Sequence, residues 1–305
     1  MKRQTEMKSN KELGSIGLGC VTFGREVDLP TAYTLMHHAT ENGIFHFDTA
    51  AAYGEGASES IIGKWLTEHP HKKSRVKVAT KLIPPYEPTL MRKNIEGSLQ
   101  RLNQDVIDIL YLHRWDPEVQ NTAVLKCMEE WVQEGKIKQL GVSNFNTVQL
   151  NEMVNLQRQQ GWSTVKYAQN NHNIAVSDMP AQWLELCKLN DINVVGYSPL
   201  GAGFLTGKHS GGVVKGTRFD VIKGHQDIYF NPTSIQRLNQ LLEISKRYHI
   251  QPELLAMAWA MHHKWVDCTL VGARKLAHID NALEALAFSR KELLSILDSI
   301  EGNDS

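Results

Sequence analysis

The sequence predicts a single α/β domain, a (β/α)8 TIM barrel that spans residues 1–305. Eight short strand-like runs alternate with segments of helical periodicity, which is typical of a parallel sheet covered by helices. Barrels of this kind often have about 250 residues or more, so one barrel accounts for the chain length. The alternative is a doubly wound sheet, which requires a three-glycine dinucleotide motif after its first strand. The glycine-rich segments 17–22 and 54–59 both lack the third glycine.

In the first half of the chain, the predicted elements follow one another with short connections. A strand at 15–20 precedes a helix at 30–42, and Gly43 is a suitable C-cap for that helix. Pro70 is expected to end the second helix. The further elements are, in order, a strand from 43 to 48 that runs into a loop, a helix at 58–68, a strand at 75–81, a helix at 88–102 and a strand at 107–113.

The second half keeps this alternation until a long loop interrupts it. The predicted elements are, in order, helix 121–134, strand 137–142, helix 147–160, strand 164–170, helix 180–190 and strand 192–197. The loop 199–232 follows, and a loop of that length in a compact domain is usually functional or disordered. Helices at 233–248 and 252–263, an eighth strand at 266–271 and a helix at 277–287 complete the predicted barrel.

Composition and charge argue against several classes of partner. Lys+Arg and Asp+Glu are equal at 33 each, so no global field favours nucleic acid or an anionic membrane. No apolar run approaches the roughly 18 residues of a membrane helix, and the polar residues 1–10 lack the apolar region of a signal peptide. The four cysteines are far apart and form no CxxC pair, which favours reduced thiols. We therefore expect a cytoplasmic protein; the sequence does not predict its oligomeric state.

Three successive strands are predicted to end on side chains that can carry chemistry. Asp48 ends the second strand and Tyr53 lies in the following loop, Lys81 ends the third strand, and His113 ends the fourth. Because the active site of a parallel barrel lies at the C-terminal strand ends, these side chains should face one cavity. Each residue alone has an ordinary alternative, namely a turn-forming aspartate, a loop phenol, a lysine reaching solvent or a hydrogen-bonded histidine. Their combination favours a site.

The order and spacing of these four residues resemble the active-site tetrad of the aldo-keto reductases. Other segments resemble the signature segments of that family, in the family's order and over nearly the whole chain: 17–24, 47–56, 141–145, 197–201 and 271–274. The resemblance implies a barrel that binds NADPH across its mouth. It also implies hydride transfer to a small-molecule substrate, an aldehyde, ketone or open-chain sugar, or the reverse oxidation of an alcohol.

The four residue types suit this chemistry. When hydride reaches a carbonyl carbon, negative charge grows on the oxygen and a positioned acid must deliver a proton. A free tyrosine has a pKa near 10, and a neighbouring ammonium lowers such a pKa by roughly one to three units. We expect Lys81 to supply that charge, Asp48 to keep Lys81 protonated and oriented, and His113 to donate a hydrogen bond to the carbonyl oxygen.

The resemblance also implies contacts with the nicotinamide half of the coenzyme. Ser143, Asn144 and Gln169 would hydrogen-bond the carboxamide, which needs both donors and acceptors. Tyr197 would stack on the ring. The alternative role for Ser143 and Asn144 is a cap for the helix that begins near Thr147. The residues implied at the pyrophosphate are Ser198, Pro199, Leu200 and Gly201, together with Lys208 and Arg218.

The segment after the eighth strand is implied to bind the other half of the coenzyme, where barrels commonly bind phosphate. Arg274 can bind a 2′-phosphate with its forked guanidinium, which favours NADP(H) over NAD(H). The alternative is a solvated Arg274–Lys275 pair. Asp280 and Asn281 match the family's acid–asparagine pair at the adenine, whereas His278 stands where a glutamine is usual. The implied contacts are Gly272, Arg274, His278, Asp280 and Asn281.

Two rival functions stay open. One is a regulatory NADPH-binding module, because a branch of this family resembles potassium-channel β-subunits; His113 favours catalysis, since that branch tends to carry asparagine there. The other is a Schiff-base lyase or aldolase with Lys81 as nucleophile, which pairing with Asp48 disfavours. No metal site is expected, because the adjacent histidine pairs 37–38 and 262–263 lack zinc-ligand spacing.

Substrate selectivity is expected to lie in the loop 209–227 and in the C-terminal tail. Trp115, just beyond His113, is a candidate wall of the substrate cup, with a place in the core as the alternative. The sequence predicts neither the physiological substrate nor the direction of the reaction.

Overall fold

The computed structural model describes residues 12–301, and these residues form a closed barrel. Its strands run parallel, each pairs with its neighbours in sequence, and the eighth pairs with the first, which confirms the predicted (β/α)8 fold. The strands are β1 (Ile16–Gly19), β2 (His46–Asp48), β3 (Lys77–Leu82), β4 (Ile107–Leu112), β5 (Ile137–Ser143), β6 (Tyr167–Asn171), β7 (Asn193–Tyr197) and β8 (Cys268–Gly272).

Helices surround the barrel. They are α1 (Leu29–Glu41), α2 (Ala57–Glu68), α3 (Pro70–Lys73), α4 (Pro88–Leu102), α5 (Thr122–Gln133), α6 (Thr147–Gln159), α7 (Ala181–Leu189), α8 (Arg218–Val221), α9 (Gly224–Tyr229), α10 (Pro232–Tyr248), α11 (Pro252–His262), α12 (Leu276–Leu286) and α13 (Lys291–Glu301). Short 3-10 turns occur at Tyr53–Gly56, Pro117–Gln120 and Gly201–Thr206. Within the described part of the chain, no helix is both long and apolar enough to cross a lipid bilayer.

The main apolar core lies between the barrel wall and the surrounding helices. Along each strand, alternate residues face this layer, as Leu18, Phe47 and Val78 do. The intervening residues point into the barrel, where a smaller apolar cluster includes Ala79 and Tyr111. The same alternation directs Asp48 into the barrel, because it follows the outward-facing Phe47. Lys81 also points inward, because it is two residues after the inward-facing Ala79.

Large side chains fill the barrel interior because glycines lie next to them. A Cβ atom at Gly17 would come within 2.7 Å of the His46 ring, and one at Gly141 within 2.5 Å of the Tyr111 ring. His46 and Tyr111 are both fully buried. The interior below the strand C-termini is therefore a packed core and not a channel.

The predicted helices agree closely with the observed ones. Each begins and ends within one residue of its prediction, and Gly43 has the left-handed conformation (φ 81°) expected of a C-cap. The strands differ by up to three residues at their ends, since a run of apolar residues does not mark where pairing begins. As a result, Lys81 is the penultimate residue of β3, and His113 is the first residue after β4.

Several helices were not predicted from the sequence. The long loop contains α8 and α9, and Pro70 begins α3 instead of only ending α2. The C-terminal tail, expected near the substrate, instead forms α13, which packs on α10 and α11 with Leu293, Leu297 and Ile300 buried. The spacing of these three residues is helical, so the signal for α13 was present in the sequence.

Two buried histidines should make the fold sensitive to acid. Burial lowers the pKa of His46 to about 4 and that of His172 to about 3. Both are neutral in the folded state and take up protons on unfolding, so their stabilising effect is present above the unfolded pKa of about 6.5 and is lost as the pH falls toward 4. We expect the free energy of unfolding to fall over this window by about 1.4 kcal/mol per pH unit for each histidine.

Urea denaturation between pH 7 and pH 4.5 measures this dependence. The variant His172→Asn should have a shallower slope than the native protein, whereas His71→Gln, at an exposed position, should leave the slope unchanged. Equal slopes in all three proteins would contradict the prediction.

Candidate active site

The C-terminal ends of the strands open into a cavity of about 510 Å³. This is the end of a parallel barrel at which active sites lie. Most of the residues predicted from the sequence line it: Asp48, Tyr53, His113, Ser143, Asn144, Gln169, Tyr197, Ser198, Pro199, Leu200, Lys208, Arg218, Gly272, Arg274, His278 and Asn281. Three predicted residues are not part of this lining, namely Lys81, Gly201 and Asp280.

Lys81 lies behind the cavity wall in an ion pair with Asp48. Its ammonium group donates hydrogen bonds to Asp48 Oδ1 and, at 2.8 Å, to the carbonyl oxygen of Thr49. The second carboxylate oxygen of Asp48 accepts a 2.8 Å bond from Gln169 Nε2. Burial alone would lower the pKa of Lys81, but its interactions with Asp48 and Tyr53 together outweigh burial and hold this pKa above its ordinary value. Lys81 is therefore a charged group and not a free amine.

The Tyr53 ring lies beside this ammonium. The distance from Lys81 Nζ to the ring centroid is 5.1 Å. The structure does not give the lowered pKa that the sequence analysis expected: burial raises the pKa of Tyr53 more than the charge of Lys81 lowers it. Sequence alone does not reveal how completely the phenol is enclosed. At neutral pH the phenol therefore keeps its proton, and Lys81 reduces the cost of giving that proton away.

His113 lies beside Tyr53 in the cavity lining. The two rings meet edge to face, with their centroids 5.7 Å apart. Burial, assisted by the nearby charge of Lys81, lowers the pKa of His113 to about 4. The imidazole is neutral at pH 7, so it offers one N–H donor but no charge.

Asn144 connects the ends of three strands. Its Nδ2 donates to the carbonyl oxygen of His113 at 2.8 Å and to Ser143 Oγ at 3.1 Å, and its Oδ1 accepts a 2.6 Å bond from the Tyr197 hydroxyl. It does not cap the following helix, because Asn146 does so in a capping box with Gln149. The alternative considered for Ser143 and Asn144 is therefore wrong, and both belong to the cavity.

The hydrogen-bonding capacity that these bonds leave is complementary to a carboxamide. Asn144 Oδ1 has one lone pair left to accept a further hydrogen bond. The Ser143 hydroxyl accepts a hydrogen bond from Asn144, so its own O–H is still available to donate one. The side-chain oxygen of Gln169 adds a second acceptor, since its nitrogen is bonded to Asp48. A carboxamide presents two N–H donors and one acceptor oxygen, which these groups match.

The other part of the cavity carries positive charge. Lys208, Arg218 and Arg274 all line it, and Arg274 lies near enough to both Arg218 and His278 to affect their pKa values. Burial and the guanidinium of Arg25 lower the pKa of Arg218, which nonetheless stays protonated. Such a concentration of cations in a chain of zero net charge suits an anionic, phosphate-bearing ligand.

Three of the residues singled out from the sequence lie elsewhere. Asp280 does not line the cavity, and its Oδ1 lies within hydrogen-bonding distance, 2.6 Å, of His38 Nε2 on α1. Gly201 is buried with φ 55°, so it shapes the turn after β7 and does not offer a contact. Trp115 lines a separate crevice beside α6 and is not a wall of the main cavity. Asn281 lines the cavity while Asp280 does not, because adjacent helical residues point about 100° apart.

Several residues that line the cavity were not predicted to be site residues. Val221 and His225 come from α8 and α9, within the loop that was expected to govern selectivity. Thr22 and Glu26 follow β1, and Thr22 lies in one of the family-like segments. Nothing in the sequence around Glu26 marks it, because a polar residue after a strand is ordinary.

Comparison with known proteins agrees with this geometry. A family model described as "Aldo/keto reductase family" matches residues 15–300. The chain belongs to the aldo/keto reductase family. Among its relatives are a putative aryl-alcohol dehydrogenase of Schizosaccharomyces pombe, 25% identical over 93% of this chain and 91% of that protein, and a probable aldo-keto reductase of Glycine max, 26% identical over 96% and 87%. A putative voltage-gated potassium channel subunit beta of S. pombe is 28% identical over 93% and 87%.

Membership of the aldo/keto reductase family supports an oxidoreductase that acts on carbonyl groups. Members of this family generally use a nicotinamide coenzyme and small-molecule substrates. The cations and amide groups of this aldo/keto reductase suit such a coenzyme.

The ion pair beneath the cavity can be tested through stability. Asp48→Asn removes the carboxylate that faces the fully buried ammonium of Lys81, so we expect the free energy of unfolding at pH 7 to fall by about 3–5 kcal/mol. Urea denaturation measures it. Asp191→Asn is a matched control, because Asp191 pairs with Lys166 at 3.4 Å, is 97% exposed and has a positive φ that asparagine tolerates. A similar, small loss in both variants would contradict the prediction.

Proposed function

We propose that the protein reduces the carbonyl group of an aldehyde, ketone or open-chain sugar to an alcohol with NADPH, or catalyses the reverse oxidation, with Tyr53 as the proton donor. The observation that carries the proposal is the buried Asp48–Lys81 pair beside the Tyr53 ring. The position of His113 beside Tyr53 in the same cavity supports it. The four reduced cysteines, all buried, support a cytoplasmic location. We also infer that residues 1–305 form one domain.

The protonation states assign a role to each group. His113 is neutral and orients the carbonyl by donating its N–H to the oxygen. Tyr53 holds its proton at neutral pH and gives it to the same oxygen as negative charge develops there. Lys81 keeps its charge and stabilises the phenolate that remains. Asp48 holds Lys81 in place, and its bond from Gln169 fixes the carboxylate in turn.

The proposed coenzyme site follows from the groups that line the cavity. When bound, the reduced nicotinamide would supply the hydride. Ser143, Asn144 and Gln169 offer the donor and acceptors that its carboxamide needs. Lys208 and Arg218 suit the pyrophosphate, and Arg274 a 2′-phosphate. The adenine would meet His278 and Asn281 without Asp280, which is held by His38.

A Schiff-base lyase is disfavoured because Lys81 is charged, fully buried and outside the cavity lining. A regulatory coenzyme-binding module is favoured by one observation, the relative whose name describes a potassium channel subunit beta. Turnover of NADPH over a panel of aldehydes separates the two: rapid oxidation supports the reductase, and binding without oxidation supports the module.

Replacement of Tyr53 by Phe tests the proton donor directly. We expect turnover to fall by about 10²- to 10⁴-fold, because the general acid is lost while the ring is kept. The dissociation constant for NADPH, measured by fluorescence titration, should change little. Turnover close to that of the native enzyme would remove Tyr53 from the proposed role.

Replacement of Arg274 by Ala tests the preference for NADPH. The guanidinium is expected to bind the 2′-phosphate, so the KM for NADPH should rise by about 10-fold or more while the KM for NADH changes little. Lys275→Ala is the matched control, since Lys275 is an adjacent exposed cation that does not line the cavity. Equal effects on both coenzymes would contradict the assignment.

A further inference from the structure

Tyr53 begins a turn whose backbone is not stable by itself. The next three residues, Gly54, Glu55 and Gly56, all have positive φ values, of 57°, 55° and 91°. Glycine adopts this conformation freely, but glutamate does not. Such a turn persists only where the surrounding structure holds it. The position of the phenol therefore depends on what anchors Gly56 and the start of α2.

The side chain of Arg101, near the end of α4, lies directly on Gly56. A Cβ atom at position 56 would be 2.6 Å from Arg101 Cδ and 2.8 Å from its Nε. The same Nε donates a 2.7 Å hydrogen bond to Glu59 Oε2 in the first turn of α2. Arg101 thus contacts the turn at Gly56 and again at Glu59, so helix α4 supports it from outside the barrel.

Glu59 extends this support to the strand that carries the ammonium group. Its side chain is fully buried, and its second oxygen accepts a 2.5 Å hydrogen bond from Thr80 Oγ1. Thr80 directly precedes Lys81 in β3. A buried carboxylate is tolerated only when it is paired and hydrogen-bonded, so Glu59, Arg101 and Thr80 hold one another in fixed positions. The turn of Tyr53 and the strand of Lys81 are consequently tied to the same carboxylate.

The Glu59–Arg101 bridge lies outside the cavity. Glu59, Thr80 and Arg101 do not line it, so they do not touch substrate or coenzyme there. Ser58 gives the loop a second anchor, because its hydroxyl bonds to Thr49 Oγ1 at 2.7 Å and donates to the carbonyl oxygen of Cys20 at 2.9 Å. Because Ser58 directly precedes Glu59 in α2, this anchor ties the end of the loop to the residues that follow β1 and β2, whereas the bridge ties it to β3 and α4.

We propose that Glu59 and Arg101 are positioning residues for the reaction, whose bridge holds the Tyr53 phenol beside the Lys81 ammonium from behind the cavity. The inference rests on the proposed function of Tyr53 as proton donor. Without the bridge, Gly56 loses its contact with α4 and Glu59 its tie to β3, so Ser58 alone holds this end of the turn and the phenol is positioned less precisely. The substrate and coenzyme sites are left intact, so the loss should appear in turnover and not in binding.

The experiment compares Arg101→Met and Glu59→Gln with Arg92→Met. Arg92 is a matched control on the same helix, where it pairs with Glu130 and Glu134 at the surface. We expect kcat to fall about 10-fold in R101M and E59Q, with the KM for NADPH unchanged, and to stay at the native value in R92M. Arg101→Lys, which keeps the charge but not the fork, should recover part of the loss.

A second readout follows the phenol itself. The absorbance of the Tyr53 phenolate, obtained by subtracting a Tyr53→Phe background, gives the pKa of this residue. Burial raises that pKa by more than Lys81 lowers it, so a phenol displaced from its enclosed position in R101M should titrate closer to the ordinary value, and the alkaline limit of turnover should shift to lower pH. A residue that only stabilises the fold would change the melting temperature without this shift.

The outcomes separate this inference from the proposed function. If Y53F turns over normally, the proposed function fails. If Y53F is inactive but R101M and E59Q keep native kcat and an unshifted Tyr53 pKa, the positioning role alone is overturned. Should R101M not fold, E59Q and R101K decide the question by the same two measurements.

Discussion

A buried ion pair, Asp48 with Lys81, is the interaction on which the rest of this site depends. Removing two charges from water costs several kcal/mol per ion unless every hydrogen-bonding group is satisfied. Here the carboxylate receives the ammonium on one oxygen and the amide of Gln169 on the other, and the ammonium also reaches the carbonyl oxygen of Thr49. Because these partners come from β2, β3 and β6, the pair is satisfied only when the barrel is closed. The chemistry of the site and the completion of the fold therefore depend on the same contacts.

Burial also fixes the charge of each group around the pair. Lys81 stays an ammonium because Asp48 and Tyr53 together outweigh the effect of its burial on its pKa. His113 is neutral because burial and the charge of Lys81 lower its pKa by more than Asp48 raises it. Tyr53 keeps its proton because burial raises its pKa by more than the charge of Lys81 lowers it. At this end of the cavity Tyr53 and His113 are thus neutral and Lys81 supplies an oriented positive charge, so negative charge that develops on a ligand beside the Tyr53 hydroxyl is stabilised there.

The sequence was sufficient for the fold and for most of the cavity, and the failures have physical causes. Strand-end residues such as Asp48 and His113 were found because parallel strands bring their C-termini together. Asp280 was misplaced because its side chain pairs with His38, which is distant in sequence. The net rise in the pKa of Tyr53 was missed because burial is a property of the folded chain and not of a motif. Val221 and His225 were not named because a loop sequence does not show which residues turn inward.

The burial of all four cysteines has a practical consequence. Burial raises the pKa of the thiols of Cys20, Cys127 and Cys187. Enclosed, protonated thiols react slowly with alkylating reagents. A single cysteine introduced at the exposed Val221, on the rim of the cavity, could be labelled with a fluorophore selectively. The native cysteines therefore need not be replaced before such a fluorophore is used to follow ligand entry.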